Sequence, residues 1–167
     1  MSDNTSPFAK GDWIVHAYYG VGQIKSIENK KMGDTSSKYY KVEARNSTFF
    51  IPVKNAENDR IRLVASKKML RKAIKTLKDS PTEMESDHNQ RKRQISEMLN
   101  DCSLLATAEL IRDLIGRRKE HRLNDHEQST LTKISTRLVR EWAISSEISI
   151  EEAQKKFDDA TKIDSAS

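Results

Sequence analysis

The stretch that decides the fold reads Phe8-Ala-Lys-Gly11-Asp12-Trp13-Ile14-Val15-His16, followed after Ala17 by Tyr18-Tyr19-Gly20-Val21-Gly22-Gln-Ile24-Lys-Ser-Ile27. Gly11-Asp12 is a turn pair, and the Trp-Ile-Val run behind it is made of β-formers. The glycines flanking Val21 suit a tight connection between strands. Gly33-Asp34-Thr35-Ser36-Ser37 reads as a hairpin loop. Beyond it Tyr40 and Val42 alternate with Lys41 and Glu43, and Phe49, Ile51 and Val53 alternate with Phe50 and Pro52. That is the period of two of strands with one buried face. Arg60-Ile-Arg-Leu-Val64 is a last short strand. Short strands at this spacing predict a small five-stranded antiparallel barrel with Trp13 in its core.

After Ser66 the period changes. Met69, Leu70, Ala73, Ile74 and Leu77 share one face of a helix. Lys67, Lys68, Arg71, Lys72, Lys75 and Lys78 make the opposite face, which could meet DNA or an acidic protein surface and is read here as solvated. Asp79-Ser80-Pro81 ends this helix. Three capping signals follow: Thr82-x-x-Glu85, Asn124-x-x-Glu127 and Ser149-x-x-Glu152. They predict helices carrying Ile95, Met98 and Leu99; then, after a break at 100–103, Leu104, Leu105, Ala108, Ile111 and Ile115; then Leu131, Ile134, Leu138 and Trp142; and last Ala153 and Phe157. Short connections imply a compact bundle of antiparallel neighbours with Trp142 in its core. The expected class is therefore α+β. Residues 1–7 are a disordered N-terminus, 8–65 the β-domain, 66–81 a connecting helix and linker, 82–163 a compact all-α domain, and 164–167 a disordered tail.

The composition restricts the function. Of 167 residues, 35% are hydrophobic and 33% charged, so the core must be economical. The net charge of +5 is uneven: residues 1–80 hold 16 Lys/Arg against 8 Asp/Glu, and the remainder 14 against 17. A single cysteine, Cys102, excludes an internal disulfide and lies at no metal-ligand spacing. No apolar run approaches a membrane span, and the first residues lack a leader pattern, so a cytoplasmic protein is expected. His16, His121 and His126 stand alone, with structural or surface roles. Glu85 and Asp87 have nothing to position them as a catalytic pair. Gly20-Val21-Gly22 joins strands, not strand to helix, so it is no dinucleotide site. No enzyme, metal or cofactor is expected.

The first half resembles the polymerase-interacting domain shared by CarD, CdnL and the transcription-repair coupling factor. The resemblance is carried by Phe8-x-x-Gly11-Asp12-x-Ile14-Val15-His16, Gly20-Val21-Gly22-x-Ile24-x-x-Ile27-Glu28, Tyr40-x-Val42, Pro52-Val53-x-Asn55-Ala56 and Ile61-Arg62-x-Val64-Ala65-Ser66, in order. The second half resembles the CarD/CdnL helical domain, most clearly at Glu109-Leu-Ile-Arg112-Asp113-Leu114. The coupling factor joins the first domain to a large helicase motor, for which 167 residues leave no room. The resemblance is therefore to the bacterial CarD/CdnL type of transcription regulator.

It implies that the first domain is a Tudor-like, SH3-like barrel that pairs a strand edge with the β subunit of RNA polymerase. The pairing residues map to Thr48, Phe49, Phe50, Ile51 and Pro52, with Lys30 as a basic neighbour. Phe50 stands where relatives can carry Arg, which implies a more apolar interface. The helical domain would face promoter DNA through its backbone and minor groove, weakly when alone, and modulate open-complex stability. His88 falls where the family has a wedge tryptophan. Arg91, Lys92 and Arg93 follow it as a basic DNA-facing segment, and Arg117, Arg118, Lys119 and Arg122 form a second cluster at a helix end, read equally as a DNA contact or as a favourable partner of the helix C-terminus. A wedge works by filling a partly unstacked base step, which a histidine does less well. The alternative is a polymerase-bound module whose helical domain recruits another protein and does not wedge DNA. A monomer, held near the nucleoid through polymerase, is expected.

Overall fold

The computed structural model describes residues 7–54 and 61–162. The expected disordered ends, the Asn55-Ala56 portion of the family-like motif and Arg60 lie outside those residues, except Pro7. The chain divides into two compact units, one ending at Val64 and the other beginning at Ala65.

The first unit is one antiparallel sheet. Its strands are β1 (Trp13–His16), β2 (Gly20–Met32), β3 (Thr35–Ala44), β4 (Thr48–Pro52) and β5 (Ile61–Leu63), in the spatial order β4-β3-β2-β1-β5. Five strands are present as expected. Among the described residues no ladder joins β4 to β5, so the barrel is open and β4 is an edge. The expected loop at 33–37 is shorter: Met32 pairs with Thr35 across Gly33-Asp34. Gly33 adopts φ +66°, which a glycine reaches at no steric cost and which a two-residue hairpin requires. Ser36 and Ser37 therefore join the ladder, opposite Lys31 and Lys30.

The core of this unit holds Ile14, Ile24, Tyr40, Val42, Phe49, Ile51 and Ile61. A bulge between Ile24 and Ser26 shifts the register of β2, so that Ile24 and Ile27 stand opposite Val42 and Tyr40; Ile24 is buried, whereas Ile27 is exposed. Gly22 permits a close approach: a Cβ there would sit 2.7 Å from Val42 Cγ1. Trp13 is not core, being 37% exposed. Its neighbour Ile14 takes the inward phase of β1, and a period of two leaves Trp13 on the other face.

The second unit is all helical: α1 (Lys67–Lys78), α2 (His88–Asp101), α3 (Leu104–Glu120), α4 (Asp125–Ser146) and α5 (Ile150–Thr161). Every helix has a capped start. Ser66, Asp87, Ser103, Asn124 and Ser149 each accept a hydrogen bond from a backbone N–H in the first turn. Asn124 and Glu127 form the full reciprocal capping box. The predicted box at Thr82 does not form, and α2 starts six residues later. The Thr82 N–H instead donates to Asp113 Oδ1 at 2.9 Å, and the Glu85 N–H to Gln94 Oε1 at 3.1 Å. The break after α2 is narrower than expected: helix continues through Asp101, and Cys102 turns the chain at φ 61°.

The helical core is continuous from Leu70, Ala73 and Leu77 of α1 to Phe157 and Ala160 of α5, with Trp142 buried within it as expected. The helix read as a connector thus contributes Leu70, Ala73, Ile74 and Leu77 to this unit's core. Ala65, where the chain enters, is held at both backbone groups: its N–H donates to Glu141 Oε2 at 2.8 Å and its carbonyl accepts from Ser145 Oγ at 2.7 Å.

Candidate functional site

Two surfaces are candidates, one on each unit. In the first, the sheet order leaves β4 with one partner, β3, through the pairs Thr48–Glu43, Phe49–Val42, Phe50–Lys41, Ile51–Tyr40 and Pro52–Tyr39. An edge strand presents unpaired backbone groups to any strand that approaches. Its side chains alternate as the sequence pattern requires. Phe49 and Ile51 are buried and anchor the strand, while Thr48, Phe50 and Pro52 are exposed. Only the last three can present side chains to a partner. The same three turn their backbone groups outward, since the bonds from Val53 N–H to Lys38 and from Ala44 N–H to Ser47 put Phe49 and Ile51 in the pairs bonded to β3; Pro52 offers only its carbonyl.

Lys30, on β2, joins this surface. Its Nζ stands 3.2 Å above the centre of the Phe50 ring. Such a contact is worth about 0.5–1 kcal/mol at an exposed site. It fixes a cation over an exposed aromatic face, so a predicted basic neighbour and a predicted strand residue form one feature. Sequence reasoning missed a second aromatic group here. The Tyr19 ring stacks on Phe49 with centroids 4.5 Å apart, and Tyr18 meets Tyr19 edge-on at 5.3 Å. Tyr18 is 72% exposed. His16 sets this turn, its Nδ1 accepting from the N–H groups of Tyr18 and Tyr19. The available signal was two aromatics placed in a glycine-bounded turn, where core demand cannot explain them.

On the helical unit the predicted residues separate. His88 is the first residue of α2 and is exposed. With Lys92, Ile95, Asp125 and His126 it lines a groove of about 410 Å³ between the starts of α2 and α4. Lys92 and Arg93 are exposed. Arg91 is not: it is buried, its Nε donates to Glu127 Oε2, and its Nη1 donates to the carbonyls of Glu85 and Ser86 at 3.2 and 3.1 Å. The Arg91 guanidinium is thus occupied inside the fold, and Lys92 and Arg93 are the exposed members of the basic segment. The missed signal is its spacing: Arg91 lies four residues before Ile95, on the inward face.

This ion pair links three segments, because Glu127 Oε1 also accepts from the Asn124 N–H in the capping box. Burial pushes the Glu127 carboxyl up. The Arg91 hydrogen bond, the Asn124 N–H and the charges of Arg91 and Arg117 outweigh this and hold it below its ordinary value. A similar clamp explains the Arg112-Asp113 motif. Buried Asp113 accepts from Arg112 Nε and from the Thr82 N–H, both at 2.9 Å. Asp113 and Arg91 thus pin the irregular 79–87 segment. Gly116 completes the seat, since a Cβ there would lie 2.5 Å from Pro81.

The second cluster closes α3. Arg117, Arg118 and Lys119 occupy its last turn, where cations favour the helix dipole. Arg117 is half-buried, with its Nε enclosed, whereas Arg118, Lys119 and Arg122 are exposed. Among the described residues no group of His, Cys, Asp and Glu could hold a metal ion, and no helix is long and apolar enough to cross a membrane.

Comparison with known proteins places both halves. The CarD-like/TRCF RID domain, the RNA polymerase-interacting domain, matches residues 8–65, and the CarD C-terminal domain matches residues 65–158. The chain belongs to the CarD family. Its members are regulators of the transcription-factor type, and this CarD-like chain carries the polymerase-interacting domain. It is also similar to a Bacillus subtilis (strain 168) protein named "Putative transcription factor YdeB", at 26% identity over 139 residues, covering 82% of this chain and 91% of that one. The junction between the two family domains falls at the boundary between the structural units, where Ala65 begins the second.

Proposed function

We propose that this CarD-like chain is a non-enzymatic bridging factor that docks on the β subunit of RNA polymerase through β4 and touches promoter DNA through its helical unit. The single observation that carries this reading is the position of β4. The segment assigned by resemblance to strand pairing is an edge strand of the sheet, and it displays Phe50 under the Lys30 ammonium. Backbone pairing supplies affinity, and the outward side chains supply selectivity. Thr48, Phe50, Pro52 and Lys30 are the side-chain contacts, while Phe49 and Ile51 hold the strand in place.

The DNA contacts are backbone-directed and made in the cytoplasm, on the assembled transcription complex. His88, Lys92, Arg93, Arg118, Lys119 and Arg122 are the exposed members of the predicted set. Phosphate contacts set position and carry no base sequence, so promoter choice rests with polymerase and DNA deformability. Linking the two units raises the effective concentration of the second contact once the first is made, so neither need be strong alone. Open-complex lifetime is the expected output.

One observation favours a second reading. Trp142, the only tryptophan after residue 64, is buried. Phe157 is buried as well, so among the described residues the helical unit exposes no tryptophan, tyrosine or phenylalanine as a wedge, which suits a module that recruits another protein. Promoter complexes challenged with competitor DNA decide between them. Bridging predicts a longer-lived complex when the full chain is present. An unchanged lifetime, with the chain still bound to polymerase, selects the recruiting module.

A further inference from the structure

We propose that α1 is a phosphate-contacting element for duplex DNA, distinct from the α2 residues and carrying much of the helical unit's attraction for it. This rests on the reading that the helical unit touches DNA. Lys67, Lys68, Arg71, Lys72, Lys75 and Lys78 are the only charged residues of this twelve-residue helix, and all six are exposed. At 3.6 residues per turn they fall within an arc of roughly 140° and along roughly 17 Å of axis. Leu70, Ala73 and Leu77 take the opposite side and are buried. Among the described residues none of the six enters an ion pair.

The rest of the unit cannot supply this charge. Residues 79–167 carry 14 Lys/Arg against 18 Asp/Glu. Without α1 the helical unit would be net negative and would repel the polyanion that its other basic residues are expected to touch. The stripe is also joined to cations of other helices. Near the start of α1, Lys67 and Arg71 stand with Lys156 of α5 around a groove that is otherwise lined by Leu70, Ile74, Trp142, Ser146 and Ile148, with no carboxylate. Near its end, Lys78 shares a second groove with Arg112 and Lys119 of α3 and with Lys162, against Asp79 alone. Lys119 belongs to the α3 cluster proposed above to touch DNA, so the surface is continuous with it.

An acidic protein surface would also suit a basic helix, but the composition of the stripe favours nucleic acid. Protein interfaces are enriched in aromatics and depleted in lysine. This face holds five lysines, one arginine and no apolar side chain. Contacts to phosphate need only repeated cations and supply no base readout.

The test uses the full chain. Lys68, Arg71, Lys72 and Lys75 are changed together to glutamine, which keeps helix propensity close to that of lysine. Affinity for a short duplex is measured by fluorescence anisotropy across a salt series, beside a Lys92→Gln/Arg93→Gln variant, with circular dichroism confirming the helices. Losing two or more phosphate contacts should lower the salt slope by about 1.8 or more and weaken low-salt binding tenfold or more. If the wild type binds duplex DNA and the α1 variant keeps its slope, this inference is overturned and the bridging reading stands. If the wild type binds no DNA at low salt, the bridging reading fails and takes this one with it. If the α1 variant keeps its slope but loses retention on polymerase without DNA, α1 faces an acidic protein and the inference is also overturned.

Discussion

Replacing Arg91 separates a structural role from a DNA-binding one. Its side chain and that of Glu127 are 8% and 3% exposed, and the guanidinium also serves the Glu85 and Ser86 carbonyls. Arg91→Met keeps a flexible unbranched stem, shorter than arginine by the end of the guanidinium, and removes the charge. It leaves a buried carboxylate and two carbonyls without their donor. Breaking a buried pair from one side costs about 3–5 kcal/mol. Removing both partners restores much of that, because a buried pair is often close to neutral against apolar residues of similar volume. Urea unfolding followed by far-ultraviolet circular dichroism reports on this unit, since all five helices lie in it. The expected order is wild type, then Arg91→Met/Glu127→Leu, then Arg91→Met far below, with positive coupling between the two sites. A change within about 0.5 kcal/mol for Arg91→Met, together with a lower DNA salt slope, would refute the reasoning. That result would return Arg91 to the phosphate-contacting surface.

The same ion pair sets an acid response. Because the folded Glu127 carboxyl is held below its ordinary value, its stabilising contribution is complete above the unfolded pKa of about 4.3 and is lost as pH falls below it. Glu127→Gln should therefore flatten the acid limb of a stability–pH curve, and an unchanged limb would place the titrating group elsewhere. Gly116→Ala should destabilise by roughly 1–3 kcal/mol despite a helix-propensity gain of up to about 1 kcal/mol, since Pro81 must move; thermal unfolding that shows a gain would mean that Pro81 yields freely. His88→Trp should lengthen promoter-complex lifetime, as base stacking on an aromatic ring is worth about 1–3 kcal/mol, and His88→Ala should change it little. No gain with tryptophan, in a variant that still binds polymerase, would favour the recruiting module.

How much of this was legible depends on whether a feature is local. Periods of two and 3.6 located the strands and helices, and the Asn124–Glu127 capping box formed as its pattern requires, because all its atoms lie within one turn. The Thr82 signal had the same pattern and failed. Asp113, thirty-one residues away in the chain, takes the Thr82 N–H, and no local rule sees that competitor. Trp13 was placed in the core by its residue type, while the phase of β1 put Ile14 there instead. At the candidate site, alternation in 48–52 correctly divided anchoring from outward residues. A basic run, by contrast, hides the burial of one member. Arg91, Lys92 and Arg93 are adjacent in sequence but point to different sides of a helix, and only the distance to Ile95 tells them apart. The cation over Phe50 required the register of three strands, which sequence alone does not supply.

Retention of the full chain on immobilised polymerase β subunit, compared between wild type and Phe50→Asp, tests the central claim most directly. Phe50 is an outward residue of the edge strand, so the aspartate should leave the sheet folded while removing the apolar contact and the ring under Lys30. The account predicts retention of the wild type and its loss in the variant, with unfolding unchanged. Equal retention of both folded proteins, or no retention of either, would contradict docking through β4.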